Sequence, residues 1–206
     1  MMQQVYCYQP LVNSKFINGW IFGADGGLNI VVAEDFKPSF PTSVYKGSGL
    51  TLRLISEYRL TPELNVRPLV GYALSQWYNN KKGNTFTSEY GTVDFKCDVL
   101  NLFSGYNAFR KNTLFVFAGG GVLYRNKISS GGFNDNARLL FLARTGGGIE
   151  FRLKKSVLMT LNAELNFTGD KLNGYDAGKR SYDILPCLTM GLTYNFTPTF
   201  RGRWNY

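Results

Sequence analysis

Residues 50–60 read LTLRLISEYRL, in which Leu50, Leu52, Leu54, Tyr58 and Leu60 share one parity while Thr51, Arg53, Glu57 and Arg59 share the other. A helix would scatter those charges around its circumference, whereas a strand sorts them onto one face. The same sorting recurs over 64–78, where Leu64, Val66, Val70, Tyr72, Leu74 and Tyr78 oppose Asn65, Arg67, Ser75 and Trp77. It recurs over 157–167 (Val157 to Phe167 against Thr160, Asn162, Glu164 and Asn166) and over 184–196 (Ile184 to Phe196 against Thr189, Thr193 and Asn195). Looser runs occupy 19–32, 93–103, 114–124 and 139–153, which makes eight candidate strands. In LFVFAGGGVLY, 114–124, both faces are apolar, and the orientation of that strand stays open.

Connections alternate in length. Those at 61–63, 104–112 and 154–156 are short or turn-like; those at 33–47, 79–92, 125–138 and 168–181 are longer and polar. In an up-and-down antiparallel barrel successive connections lie at opposite ends, so this alternation gathers turns at one end and loops at the other. The expected fold is all-β, an eight-stranded antiparallel up-and-down transmembrane β-barrel over 19–196, with a segment at 1–18 before it and a tail at 197–206 after it.

Alternation alone does not say which solvent the apolar face meets. Three observations favour lipid. The strands run 11–15 residues, and a dozen residues at about 3.3 Å each and a tilt near 40° span roughly 30 Å, a hydrocarbon core. Aromatics gather at the ends of the apolar faces: Trp20, Tyr58, Phe103, Phe151, Tyr194 and Phe196 at the turn end, Tyr78 and Phe167 at the loop end. Such girdles mark membrane interfaces. The polar faces carry Arg53, Arg59, Arg67, Lys96, Arg144 and Arg152 against Asp25, Glu57, Asp94, Asp98, Glu150 and Glu164, a balance that a narrow, poorly hydrated lumen needs. The net charge of +9 then sits outside the wall, mostly at the turn end, with Lys15, Arg110, Lys111, Lys154, Lys155, Arg201 and Arg203 against Glu63. Short turns are expected to face the periplasm, where a basic rim meets anionic headgroups.

Composition removes several chemistries. The chain has no histidine, which excludes Ser-His or Cys-His hydrolysis and His-ligated zinc. Cys7, Cys97 and Cys187 are isolated, so no metal or cofactor is expected. No apolar run reaches the length of a transmembrane helix. The opening MMQQVYCYQP lacks a basic n-region and an apolar h-region, so a signal peptide is expected on the precursor and not within this chain.

The stretch VLNLFSGYNAFRKNTLFVFAGGG (99–121), LNAELNF (161–167) and the closing GLTYNF (191–196) resemble the small eight-stranded outer-membrane barrels related to the membrane domain of outer-membrane protein A and to OmpX. The resemblance implies a Gram-negative outer-membrane protein inserted by an assembly machinery that reads an aromatic-ended last strand, here Leu192, Tyr194 and Phe196. Two departures stand out. A peptidoglycan-binding domain, and with it the cell-wall tether, is not expected, and TPTFRGRWNY extends past Phe196. Lipid-cleaving barrels of similar architecture rely on histidine, absent here.

The candidate site is therefore a structural lumenal ion network of Arg53, Glu57, Arg67, Asp94, Lys96, Asp98, Arg144, Glu150, Arg152 and Glu164. Asp94 and Asp98 are too far apart along a strand for paired acid/base work. Gly119, Gly120, Gly121 and Gly146, Gly147, Gly148 lack a following Gly-Lys-Ser/Thr and so do not read as a phosphate loop. If they fall opposite each other across a hairpin they ease curvature or make room for large lumenal residues; the alternative is a smooth patch for a partner. Phe200, Trp204 and Tyr206 in the tail are a second candidate contact. The expected function is a non-enzymatic barrel with a closed lumen, a structural or accessory subunit of a larger assembly in secretion, barrel insertion or nutrient uptake. Expected partners are phospholipid, lipopolysaccharide and other outer-membrane or periplasmic proteins; nucleic acid is not one. One alternative is a surface adhesin or receptor using KKGNTFTSEYGT (81–92) and SSGGFNDNA (129–137). Another is a lipid-modifying enzyme with a Ser or Tyr nucleophile.

Overall fold

The computed structural model describes residues 18–31, 48–79, 82–107, 110–130, 133–169, 172 and 182–196. Eight antiparallel strands close a barrel: β1 (Trp20–Ile30), β2 (Ser48–Arg59), β3 (Leu64–Asn79), β4 (Lys82–Asp98), β5 (Asn112–Arg125), β8 (Arg138–Arg152), β9 (Val157–Gly169) and β10 (Tyr182–Asn195), with β1 paired to β10. A small hairpin of β6 (Ile128–Ser130) and β7 (Phe133–Asp135) fills the β5–β8 loop, and a short helix α1 (Val99–Ser104) follows β4. The expected segment at 1–18 lies outside the described residues but for its last position, and the tail with Phe200, Trp204 and Tyr206 lies wholly outside them.

The register fixes the barrel's stagger. From Gly26 the hydrogen-bonded partners run through Leu52, Tyr72 and Glu89 to Tyr124. The other way round they run through Met190, Leu161 and Ile149 to Leu114, ten residues from Tyr124 on the same strand. A stagger of ten over eight strands goes with a tilt of about 40°, so each residue climbs about 2.5 Å along the axis. On that scale Trp20, Tyr58, Phe151 and Tyr194 share one level to within about a residue and a half. Tyr72, Tyr124 and Phe167 form a second girdle roughly 25 Å above it, the height of a bilayer's apolar band. Tyr72 and Tyr124 are additions to the sequence reading. At the lower level the rings pack on one another, Trp20 on Tyr58 at 4.9 Å and Tyr194 on Phe196 at 4.8 Å between centroids.

The molecule is inside out. Arg53, Arg144 and Lys96 are 2 % exposed or less, while Leu52 and Leu54 on the same strand as Arg53 are above 60 %. Ionic residues inside and leucines outside are the reverse of a water-soluble domain. In β5 the open question resolves: Phe115, Phe117 and Leu123 point inward, Leu114, Val116, Val122 and Tyr124 outward.

Three expectations are corrected. First, the strand expected over 93–103 is Lys82–Asp98, and Val99 to Ser104 is helical because Asp98 caps it, its carboxylate accepting from the Asn101 N–H at 2.8 Å. Phe103 is thus a helix residue, 81 % exposed, and not a strand-end aromatic. Second, 81–92 is not a loop: from Lys82 onward it pairs with β3, Lys82 opposite Asn79, and Phe86 and Ser88 are buried. Of the other expected loop ligand, 129–137, the ends form the β6–β7 hairpin and residues 131–132 lie outside the described residues. Third, the glycine runs, expected nearly opposite each other, are offset by two residues across the β5–β8 pairing. Gly119, Gly120 and Gly121 pair with Arg144, Ala143 and Leu142, and Gly146, Gly147 and Gly148 pair with Phe117, Val116 and Phe115. The cause is packing. A Cβ at Gly146 would meet the Ala163 carbonyl oxygen and sit 2.8 Å from the Phe117 ring, and one at Gly148 would meet the Leu161 carbonyl oxygen and sit 2.7 Å from the Phe115 ring, so the lumenal glycines lie where the β9 backbone and the phenylalanines leave no room for a side chain. Only Gly120 and Gly147 face outward, and the smooth outer patch shrinks to those two.

Candidate functional site: the filled lumen

Because side chains alternate along each strand, every second residue of eight strands converges on a tube about wide enough for side chains alone. Three tiers fill it. In the middle tier Arg53 donates to Asp25 through Nε and Nη2, both at 2.6 Å, and through Nη1 to both oxygens of Glu164 at 2.6 and 2.7 Å. Glu164 also accepts from Arg144 Nη2 at 2.6 Å; Arg144 Nε lies 3.6 Å from Asp94, which accepts from Arg67 Nη2 at 2.9 Å. Three carboxylates and three guanidiniums thus alternate across β1, β2, β9, β8, β4 and β3. Thr189 and Thr92 accept further guanidinium protons. Such charge-assisted pairing is what buried charges require.

Towards the turn end Lys96 Nζ bridges Glu57, at 3.0 Å, and Glu150, while Asn65 donates to Glu57 at 2.7 Å. Between these two groups stand Phe115 and Phe117. Lys96 Nζ lies 4.4 Å from the Phe115 centroid and the Arg67 guanidinium 4.3 Å from that of Phe117, within cation–π range. The ten network residues all face inward, but eight of them form two clusters and not one. Asp98 belongs to neither: it is spent on capping α1 and on Asn101 Nδ2 at 2.7 Å. Arg152 lines the turn-end mouth.

Sequence reasoning missed the third tier. At the loop end Val31, Phe86, Leu123, Ile128, Leu142, Leu172 and Leu185 make an apolar plug, with Tyr90 and Leu140 against it. Ile128 and Leu172 come from loops and dip into the barrel, which strand periodicity does not report. Above them fully buried Arg125 bonds Asp135, the Asn136 carbonyl at 2.6 Å and the Leu172 carbonyl, tying the β6–β7 hairpin down. Burial pushes the Asp135 carboxyl up, but hydrogen bonds from Arg125 and Arg138 outweigh it and hold the group below the usual carboxylate range.

The turn-end mouth is covered by the α1–β5 connection. Asn101 Nδ2 donates to the Pro62 carbonyl at 2.8 Å, latching α1 to the β2–β3 turn, and Arg110 donates to Asn101 Oδ1 at 2.8 Å and to the Gly105 carbonyl at 3.2 Å. Below it lies a cavity of about 50 Å³. Among the described residues no group of three or more Cys, Asp or Glu side chains is placed to hold a metal ion, and Cys97 and Cys187 are free thiols.

No family model and no curated protein matches the sequence. Solved structures do. Neisserial surface protein A (NspA) superimposes with a TM-score of 0.57 at 12 % identity, covering 86 % of this chain and 97 % of that one. Ail, the attachment invasion locus protein of Yersinia pestis, superimposes with a TM-score of 0.53 at 14 % identity, covering 87 % of this chain and 100 % of that one. Ail in complex with the heparin analogue sucrose octasulfate matches equally well, at 15 % identity and the same coverage. With its closed eight-strand wall, apolar exterior and charged interior, the chain has the fold of the small outer-membrane β-barrels.

Proposed function

We propose that this chain is an integral outer-membrane barrel, neither an enzyme nor a channel, that serves as a structural or accessory subunit of a larger outer-membrane assembly, its turn end in the periplasm and its loop end outside. The observation that carries this is the filled lumen: an apolar plug, a six-member ion chain and a lysine-centred cluster stand in series along the axis. A tube so filled passes no solute, and what the protein does, it does with its outer surfaces. The outward apolar band between the two girdles supports residence in lipid, with phospholipid and lipopolysaccharide as immediate neighbours. The lack of histidine supports a non-enzymatic role.

Planar-bilayer recording tests the closed lumen: no stepwise conductance is expected, and discrete openings would refute it. Extraction in mild detergent followed by mass spectrometry tests the subunit role, which fails if the chain always travels as a lone monomer.

One observation favours a second reading, adhesion. Strands β3 and β4 stay paired, backbone to backbone, well above the upper girdle. In the fold neighbour Ail a sulfated heparin analogue was bound. Deleting residues 76–86 abolishes surface attachment on this reading and leaves it unchanged on the first.

A further inference from the structure

We propose that the turn-end mouth of the lumen is an oxyanion site of the phosphate class, built by Arg59 and Arg152 with Arg110 and Lys111 at its rim. All four line the cavity beneath the α1–β5 connection. Lys96 also reaches it, but its charge is matched by Glu57 and Glu150. The remaining carboxylate of the lining, Asp98, is engaged by α1 and Asn101. With Glu57 counted beside Lys96, the described residues at the mouth carry five cations against three carboxylates, whereas the middle tier balances three against three.

Like charges gathered in a walled space repel, and a guest of opposite sign relieves the repulsion. The walls are fixed. Arg59 and Arg152 are the last residues of β2 and β8, on the lumenal face, and the Arg152 N–H donates to the Lys111 carbonyl at 2.8 Å, holding Lys111 beside it. Arg110 is set at the rim by its bonds to Asn101 and Gly105, both uncharged acceptors, with the Asp98 carboxylate close enough to feel its charge. A cavity of about 50 Å³ holds a few waters or one tetrahedral oxyanion. Guanidinium forks match phosphate oxygens two at a time, which a point-charge lysine cluster does not. The guest is a phosphate group, either free or on a lipid headgroup at the rim. Only the choice between those sources rests on the proposed orientation in the membrane.

The test uses the whole chain in neutral detergent and phosphate-free buffer, with inorganic phosphate as probe in equilibrium dialysis. The same chain in nanodiscs of phosphatidylcholine, with or without phosphatidylglycerol, supplies the headgroup arm, read by native mass spectrometry. The wild type is expected to take up one phosphate or one phosphatidylglycerol per chain. The double variant Arg59→Gln/Arg152→Gln is expected to bind at least about tenfold more weakly, as befits the loss of charge-assisted hydrogen bonds. Lys111→Gln, exposed and outside the strands, guards against a folding defect and is expected to weaken uptake by about threefold. Uptake of free phosphate in detergent identifies a soluble guest; enrichment of phosphatidylglycerol alone identifies a headgroup; either supports the site. A wild type that takes up neither, or variants that bind as well as it does, overturns the proposal. Protease protection in the nanodiscs reports insertion separately, so failure of this site is distinguishable from failure of the membrane reading.

Discussion

Arg53→Met removes the hub of the middle tier while keeping its bulk. Arg53 holds Asp25 by two hydrogen bonds of 2.6 Å and Glu164 by two more, and the side chains of both partners are 1 % exposed or less. Glu164 keeps Arg144 at 2.6 Å. Among the described residues Asp25 keeps the uncharged neighbours Asn162 at 3.3 Å and Thr189 at 3.4 Å. Removing one partner of a buried pair costs about 3–5 kcal/mol because the other charge is left in a dry site. The expected loss is therefore about 3–5 kcal/mol, carried mostly by Asp25. Adding Asp25→Asn removes the stranded charge, so the double variant is expected to recover roughly half of the loss or more. Urea unfolding in lipid vesicles, followed by tryptophan fluorescence and extrapolated linearly, measures both changes. A single variant within about 1 kcal/mol of wild type, or a double variant no more stable than the single, refutes the claim that this pairing holds the lumen together.

Gly148→Ala drives a methyl group against the Leu161 carbonyl oxygen and to 2.7 Å from the Phe115 ring and is expected to cost about 1–3 kcal/mol or more in the same assay, whereas Gly120→Ala, whose new atom finds 3.4 Å of room, stays within about 0.5 kcal/mol. On the outer face Val93→Arg, at mid-height, is expected to cost about 2–4 kcal/mol in vesicles, and Leu139→Arg, level with or above the upper girdle, about 0–1; equal costs refute the assigned band. Asp135 has a depressed folded carboxyl, so its contribution to the β6–β7 hairpin is complete above its unfolded value near pH 4 and is lost as pH falls through the lower folded value. Limited proteolysis of the 126–137 segment is therefore expected to accelerate below about pH 4 in wild type and to lose that pH step in Asp135→Asn. Asn101→Ala cuts the latch to Pro62, and faster hydrogen exchange over residues 99–107 with the barrel strands unchanged is the expected result.

Legibility followed the solvent. Inside the band, β2 and β9 read plainly because one face meets hydrocarbon and the other a polar lumen, as Leu52 against Arg53 shows. Past the upper girdle that contrast inverts: on β4 the outward residues are Thr85, Thr87 and Glu89, the inward ones Phe86, Ser88 and Tyr90, so a search for apolar-outward alternation stops near Val93. Helix α1 is six residues long, too short for a helical period, and its only local signal is the cap at Asp98. The parity of β5 was undecidable on that strand alone, because Phe115 and Phe117 depend on missing side chains at Gly148 and Gly146 of its neighbour. The inventory of charges was readable, but the pairings were not: Arg53 meets Glu164 across 111 positions of chain, and only register and stagger bring them together. The same holds for the mouth, where Arg110 and Lys111 read as a basic turn with no hint that Arg59 and Arg152 stand beneath.

The β3–β4 ladder reaches Lys82, seven residues beyond Glu89 and hence roughly 18 Å above the upper girdle. It is a mast and not a tether. Its backbone gave up its conformational freedom when the barrel folded, so a molecule landing there has little ordering left to impose. Contacts at that height are therefore made by a stiff, sparsely adaptable edge that selects for matching shape over strength of attraction.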